Sequence, residues 1–229
     1  MDVEGGTQQL EYEDQNHNHI TLVSVDEGAE EVTVSCEGEV DTADYQGVIG
    51  KHAGHLPLWA FSTNNAKTRP GQAMKSLLAD FEHAQARDVS MLHDLSAAIR
   101  DRVSYIVGTT FATTTAEEAV ASGSGVCQDH AHIFLGLARS LGIPARYVSG
   151  YLMMNDRVDQ EASHAWAEAH VDGLGWVGFD ISNGISPDER YVRVATGRDY
   201  REAAPITGRT QGAKDRSLEV RLSVEQQQQ

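Results

Sequence analysis

The sequence predicts an α+β protein, with a helix that starts at a cysteine, an antiparallel hairpin to pack it on, and a short β-rich N-terminal region. Two observations carry most of this. From Cys127 the small or apolar residues Cys127, Ala131, Leu135, Ala138 and Leu141 recur at the spacing of one buried helical face. Residues 163–171 and 176–181 read as strands joined by Asp172-Gly173-Leu174-Gly175, a hairpin signal. A third observation is the alternation of Val32, Val34 and Cys36 with polar residues, one of about three strands in the first 45 residues.

Composition narrows the class. The 229 residues are 40% hydrophobic, enough for a core, and 18 Lys+Arg against 34 Asp+Glu leave a net charge of -16. Such a surface disfavours nucleic acid and anionic membranes as partners. Two cysteines make no disulfide framework and no CxxC zinc pair. The first residues lack the basic and apolar regions of a signal peptide, and no apolar run reaches membrane-spanning length, so the expectation is a cytoplasmic protein.

In chain order, residues 1–60 form the β-rich region, a partial domain or an extension, with strands at 20–25 and 31–37. Cys36 falls on the apolar face and is expected to be buried. His17 and His19 at i, i+2 could ligate a metal. With no acidic or thiol partner at a recognised spacing they read as a polar turn, and no metal is expected. The strands are few for an independent domain, which leaves a homo-oligomer through this region open. Residues 46–70 read as a connection anchored by the apolar stretch 56–61.

The catalytic domain is placed at 61–225. Helices are expected over 71–84 and 88–107, then over 116–122 with Thr115 and Glu118 as a capping box. The helix from Cys127 is stopped by Gly142, with Pro144 just beyond. Residues 145–152 read as a strand and 153–162 as an acidic loop, the candidate for substrate selection. Residues 182–212 read as mostly irregular, 217–224 as a last strand and 226–229 as a disordered tail.

Cys127 at a helix start is where free N–H groups and the helix dipole favour a thiolate. On the strand 163–171, His164, Trp166, Glu168 and His170 share one face and Ala165, Ala167, Ala169 and Val171 the other. Periodicity does not say which face meets the helix. If Val171 pairs with Gly175, Trp166 lies opposite Asp180, and His164 and Asp180 become diagonal neighbours on one face. Pairing Asp172 with Gly175 would put them on opposite faces, so a His164–Asp180 partnership requires an odd-length loop or a bulge. His164 would then take the thiol proton and Asp180 would orient the ring, with the Cys127 N–H helping to hold an oxyanion.

The segments GSGVCQDHAHIFLGLARSLGIPARYVSGYL and SHAWAEAHVDGLGWVGFDISNG, in this order, resemble the core of the bacterial transglutaminase-like family. Gly197-Arg198-Asp199-Tyr200, with Pro205 and Gly208, is similar to the tail signature that follows the aspartate in such proteins. The resemblance covers about residues 90–212. It implies a papain-like core with the cysteine on a central helix against an antiparallel sheet that bears the histidine and aspartate. It also implies Cys127 as nucleophile, His164 as base, Asp180 as orienting acid and a thioester acyl-enzyme. Ile181 departs from the pattern, where a proline usually follows the aspartate.

The expected activity is hydrolysis of a peptide, isopeptide or amide. The alternatives are protein-glutamine amine transfer and a catalytically silent binding module. Gln128, Tyr151 and Trp166 are candidate substrate contacts, while His130 and His132 are read as structural. Asp129 reads as a helix cap or a substrate contact. Calcium serves some animal relatives, but no EF-hand-like loop is present and no cofactor is expected.

Overall fold

The computed structural model describes residues 1–83, 87–154, 159–160, 163–208 and 218–225. Its contacts divide the chain into two units, residues 1–41 with 54–56, and residues 42–53 with 57–229.

The first unit holds β1 (Asp2–Glu4), β2 (Gly6–Glu13), β3 (His19–Val25) and β4 (Thr33–Ser35). β1 pairs with β4 and β2 with β3, both antiparallel. None of the buried apolar side chains found among the described residues belongs to this unit. The alternation around Cys36 therefore has no second layer to bury against. Cys36 lies just past the end of β4 and is exposed, which corrects the expectation of a buried cysteine.

The second unit opens with β5 (Val48–Gly50) and a 3-10 turn at Leu58–Ser62, both within the stretch read from sequence as a connection. Ala60 and Phe61 of that turn are buried, so the apolar patch does anchor the chain. Helix α1 (Gln72–Leu78) begins at Gly71, which has no capping side chain of its own. The Glu117 carboxylate supplies the cap, accepting from the N–H groups of Gly71, Ala73 and Met74 at 2.8, 2.7 and 3.0 Å.

Helix α2 (Val89–Arg102) is capped by Asp88 and buries Met91, Leu92, Leu95 and Ile99. It ends before the expected 107 because Val103 turns extended and the chain enters β6 (Ser104–Tyr105). Helix α3 (Ala116–Ser122) carries the expected capping box of Thr115 and Glu118. β7 (Ser124–Gly125) pairs in parallel with β6, and α4 (Cys127–Ser140) follows at once. Gly142 then adopts φ +81°, the left-handed backbone that stops a helix.

The remaining elements are β8 (Ala145–Leu152), β9 (Asp159–Gln160), β10 (His164–Val171), β11 (Gly175–Phe179), β12 (Tyr191–Gly197), α5 (Tyr200–Ala203) and β13 (Leu222–Ser223). The main sheet runs β12-β8-β10-β11-β5, antiparallel throughout, and β13 pairs with β9. Val171 pairs with Gly175, the odd-loop register, with Gly173 and Gly175 both at φ +83° in the turn. The alanine face of β10 joins the core that contains α4, because methyl groups let helix and sheet approach closely. The opposite face puts Trp166 with Val148, Leu152 and Tyr191 in a second cluster.

β12 and α5 lie within residues 182–212, which the sequence suggested were mostly irregular. β12 is an edge strand with a bulge between Arg193 and Ala195, so its face alternation breaks midway. The last strand spans two residues rather than the expected eight. The 153–162 loop lies largely, and the tail 226–229 wholly, outside the described residues. Among the described residues no helix is long and apolar enough to cross a membrane.

Candidate active site

The N-terminus of α4 is built from the side. Parallel pairing of Ser104 with Ser124 and Tyr105 with Gly125 fixes the chain just before the helix. Asp129, at the third helical position, reaches back to the N–H of Val126 at 2.8 Å and also accepts from the Thr110 hydroxyl at 2.6 Å. This is the capping role among the two the sequence allowed for Asp129. A Cβ on Gly125 would stand 2.8 Å from the Asp129 Cβ, so only glycine admits this cap. Cys127 and Gln128 are the first two residues of the helix, where N–H groups have no helical acceptor, and both are partly exposed.

His164 is the first residue of β10, and Asp180 follows the last residue of β11. His164 Nε2 is 2.6 Å from Asp180 Oδ2, and the other hydrogen-bond partner of the ring is Cys127. With Nε2 on the carboxylate, Nδ1 is the nitrogen left for the thiol. Burial works against a charged ring here. The hydrogen bonds and charges of Asp180 and Cys127 outweigh it and push the His164 pKa up to about 10.

Asp180 is fully buried and heavily solvated by protein donors. Besides His164, Oδ2 accepts from the Tyr191 hydroxyl at 2.7 Å and from Asn183 Nδ2 at 2.7 Å, while Oδ1 accepts from the Asn183 N–H at 3.2 Å. Burial alone would raise its pKa, but His164, Asn183 and Tyr191 hold it below the ordinary carboxylate value. Burial and the Asp180 charge keep the Tyr191 phenol protonated, and therefore a donor. Ile181, where the family pattern has proline, is buried beside a tight turn in which Asp180 and Ile185 exchange backbone hydrogen bonds.

Tyr191 and Asn183 were not singled out from the sequence. Asn183 could have been, as an Asx-type turn residue after the aspartate strand. Tyr191 had no local signal, because its approach depends on β12 crossing to the far side of β8.

The other residues named from sequence fall as follows. Trp166 is 2% exposed and stacks beside the His164 ring with centroids 6.3 Å apart, so it is a wall behind the histidine rather than an open contact surface. Tyr151 is partly exposed on β8 and pairs with Val192 of β12. His130 is buried with Nε2 on the Val103 carbonyl at 3.0 Å and Nδ1 on the Ser182 hydroxyl at 2.8 Å. Nε2 must carry the proton to donate to a carbonyl, and burial lowers the ring's pKa, so His130 is a neutral strut. His132 is wholly buried, its pKa pushed down to about 3 by desolvation. A cavity of about 490 Å³ lined by Thr109, Thr110, Thr113, Thr114, Glu118 and Ser122 has none of the three triad candidates on its wall.

A cysteine at a helix start and a His–Asp pair on an antiparallel sheet is the arrangement the family resemblance implied. Residues 75–181 match the Transglutaminase-like superfamily. This chain carries a transglutaminase-like core. The superfamily is usually built of cysteine-based enzymes, which supports thiol-dependent chemistry at the family level.

An uncharacterized protein of Mycobacterium leprae is 38% identical over 130 residues, covering 55% of this chain and 46% of that protein. One of Mycobacterium tuberculosis is 35% identical over 130 residues, 52% of this chain and 41% of that protein. The matches thus span less than half the length of either relative. Among solved structures, a proposed cysteine protease of Cytophaga hutchinsonii superposes with a TM-score of 0.54 at 29% identity, covering 72% of this chain and 62% of that one.

Proposed function

We propose that the transglutaminase-like core is a thiol hydrolase of amide bonds, with Cys127 as nucleophile, His164 as general base and then acid, and Asp180 as the orienting carboxylate. The observation that carries the reading is His164 held between the Asp180 carboxylate at 2.6 Å and the Cys127 thiol. The superposition on a proposed cysteine protease of Cytophaga hutchinsonii also supports it.

His164 takes the thiol proton, and the sulfur attacks the carbonyl carbon of the substrate. The oxygen gains the negative charge beside the N–H groups at the start of α4. The imidazolium returns the proton to the leaving amine as the C–N bond breaks, leaving a thioester on Cys127. A water molecule, deprotonated by His164, attacks the thioester and releases the carboxylic acid and the thiol. Asp180 keeps the ring in one tautomer and stabilises its charged form. The substrate is a peptide, isopeptide or side-chain amide.

The test is alkylation by iodoacetamide across pH, in wild type and His164→Ala, with Cys36 as the internal thiol. Cys127 is expected to react rapidly below pH 7 while Cys36 does not, and the histidine substitution is expected to erase the difference. Reaction of both cysteines only near the ordinary thiol value of ~8.5 would sink the triad and favour a silent binding module. Given a reactive Cys127, trapping the thioester with added amines in preference to water would redirect the reading to amine transfer.

A further inference from the structure

The β2–β3 hairpin carries a group of side chains that the catalytic reading does not use. His17 Nδ1 is 3.2 Å and His55 Nε2 is 3.7 Å from the same oxygen, Glu13 Oε1, and the three ligand atoms lie within 4.8 Å of one another. The two imidazole rings stack with centroids 4.6 Å apart. From sequence, His17 was paired with His19 and read as a polar turn without an acidic partner. Folding supplies the partners: Glu13, four residues before His17 at the end of β2, and His55 from the segment that returns to this unit.

We propose that Glu13, His17 and His55 form a binding site for a divalent d-block cation of the zinc class, separate from the thiol chemistry. Two imidazole nitrogens and one carboxylate oxygen are a donor set suited to such ions. Metal–ligand bonds of ~2.0–2.2 Å in a tetrahedron put ligand atoms ~3.3–3.5 Å apart. The two measured spacings already bracket that value, and rotation of an exposed imidazole closes the third. Solvent supplies the fourth donor.

Three further features of this unit support a cation. Its residues include twelve Asp and Glu and no Lys or Arg, so the local field attracts positive charge. His17 is held in place, since it sits at φ +64° in a turn closed by Asp14. That carboxylate accepts from the N–H groups of Asn16 and Asn18 and from Asn18 Nδ2. A third feature is that the unit buries no apolar side chain, and units of this size without a core rely on staples such as metals. A metal shared by Glu13, His17 and His55 would tie residue 55 back to the hairpin.

The experiment is calorimetric titration of zinc chloride into the full chain, free of added histidines and carrying Cys36→Ser and Cys127→Ala so that neither thiol competes. One ion per chain is expected. His17→Ala and His55→Ala should each weaken binding ~10-fold or more, and His19→Ala should leave it unchanged. Amide exchange at residues 13–18 and 54–56 should slow with zinc in the parent and not in His55→Ala. No uptake up to millimolar zinc, or uptake insensitive to either His17→Ala or His55→Ala, would overturn the site. All three ligands are exposed, so these variants are expected to fold, and a circular dichroism spectrum matching the parent checks that each has.

Discussion

The β2–β3 and β10–β11 hairpins are both antiparallel pairs with short turns, yet they are held in opposite ways. In β10–β11 every residue of β11 is buried, and the alanine face of β10 lies in the core that contains α4. In β2–β3, Leu10 stands opposite Leu22 and Tyr12 opposite Ile20, and Leu10, Tyr12 and Leu22 are each about half exposed. The same local pattern therefore yields a rigid platform where a second layer covers it, and a polar-turn ribbon where none does. The two cysteines repeat the contrast, with Cys36 exposed beside an edge and Cys127 set into the start of a buried helix. Precise chemistry needs the covered kind of hairpin, because a histidine must be fixed within tenths of an ångström of its partners.

The largest test of this contrast is on activity. Cys127→Ala is expected to lower turnover by ~10⁴-fold or more, and Cys36→Ser to leave it unchanged. An assay on whichever amide substrate emerges from screening reads both, and equal losses would erase the distinction between the two regions. The next test is on stability. Glu168 in β10 is fully buried against Arg146 at 2.6 Å and Arg193 at 2.9 Å, and Arg146 also lies over the Trp176 ring. Glu168→Ala leaves a buried guanidinium without its counter-charge and should cost ~3–5 kcal/mol. Leu22→Ala in β3 removes a half-exposed side chain and should cost under ~0.5 kcal/mol. Urea unfolding of both variants measures the gap, and similar values would mean the N-terminal ribbon is more deeply packed than its exposure indicates.

A pH prediction sharpens the same point. His164 ordinarily titrates at 6.5 and is pushed up to about 10 in the fold, so folding favours its protonated form. Its contribution is fully present below pH 6.5 and is lost as pH rises through about 10. The wild-type urea midpoint should therefore fall between neutral pH and pH 10. Asp180→Asn, which removes the charge that holds the proton, should flatten that fall. A slope unchanged by Asp180→Asn would mean that the alkaline loss comes from elsewhere.

Much of the covered region was legible from the sequence, and the reason is periodicity. α4 carries an apolar stripe although it is buried on every side, and β8 is a short run between turn signals, so both could be written down in advance, while the β10–β11 register stayed conditional on the loop. The His164–Asp180 partnership is what the family resemblance implies, and loop parity names the register it requires, Val171 against Gly175, which the fold adopts. Where the reading failed, the controlling partner was remote. Cys36 alternates like a core residue, but burial depends on whether a second layer exists. β12 hides behind a bulge, α1 is capped by Glu117 from another helix, and His17 meets His55 only after the chain returns. Local sequence does not encode these meetings, and Tyr191 reached the site unannounced for the same reason.

Tyr191 supports the smallest and most discriminating prediction. Two aspartates in this molecule are each crowded by donors, Asp14 in the β2–β3 turn and Asp180 at the end of β11. The Asp14 carboxylate accepts three hydrogen bonds, all from Asn16 and Asn18. Asp180 accepts from His164, Tyr191 and Asn183, which come from β10, β12 and the turn between β11 and β12. Removing one donor from a local, part-buried turn costs a fraction of its stability. Removing one from the buried carboxylate also changes what that carboxylate does to the histidine. Tyr191→Phe keeps the ring that packs on Trp166 and deletes only the hydroxyl. Asp180 then offers more of its charge to His164, so the imidazolium is held more tightly and returns its proton to the leaving amine less readily. Turnover should fall ~10-fold, the equivalent of about one charge-assisted hydrogen bond, with little change in KM. The His164 ring should titrate higher by NMR. Asn18→Ala, which removes one donor from Asp14, should alter neither quantity. If Tyr191→Phe shifts stability but leaves both kcat and the His164 titration in place, Tyr191 only packs the sheet edge and the carboxylate is set by Asn183 and His164 alone.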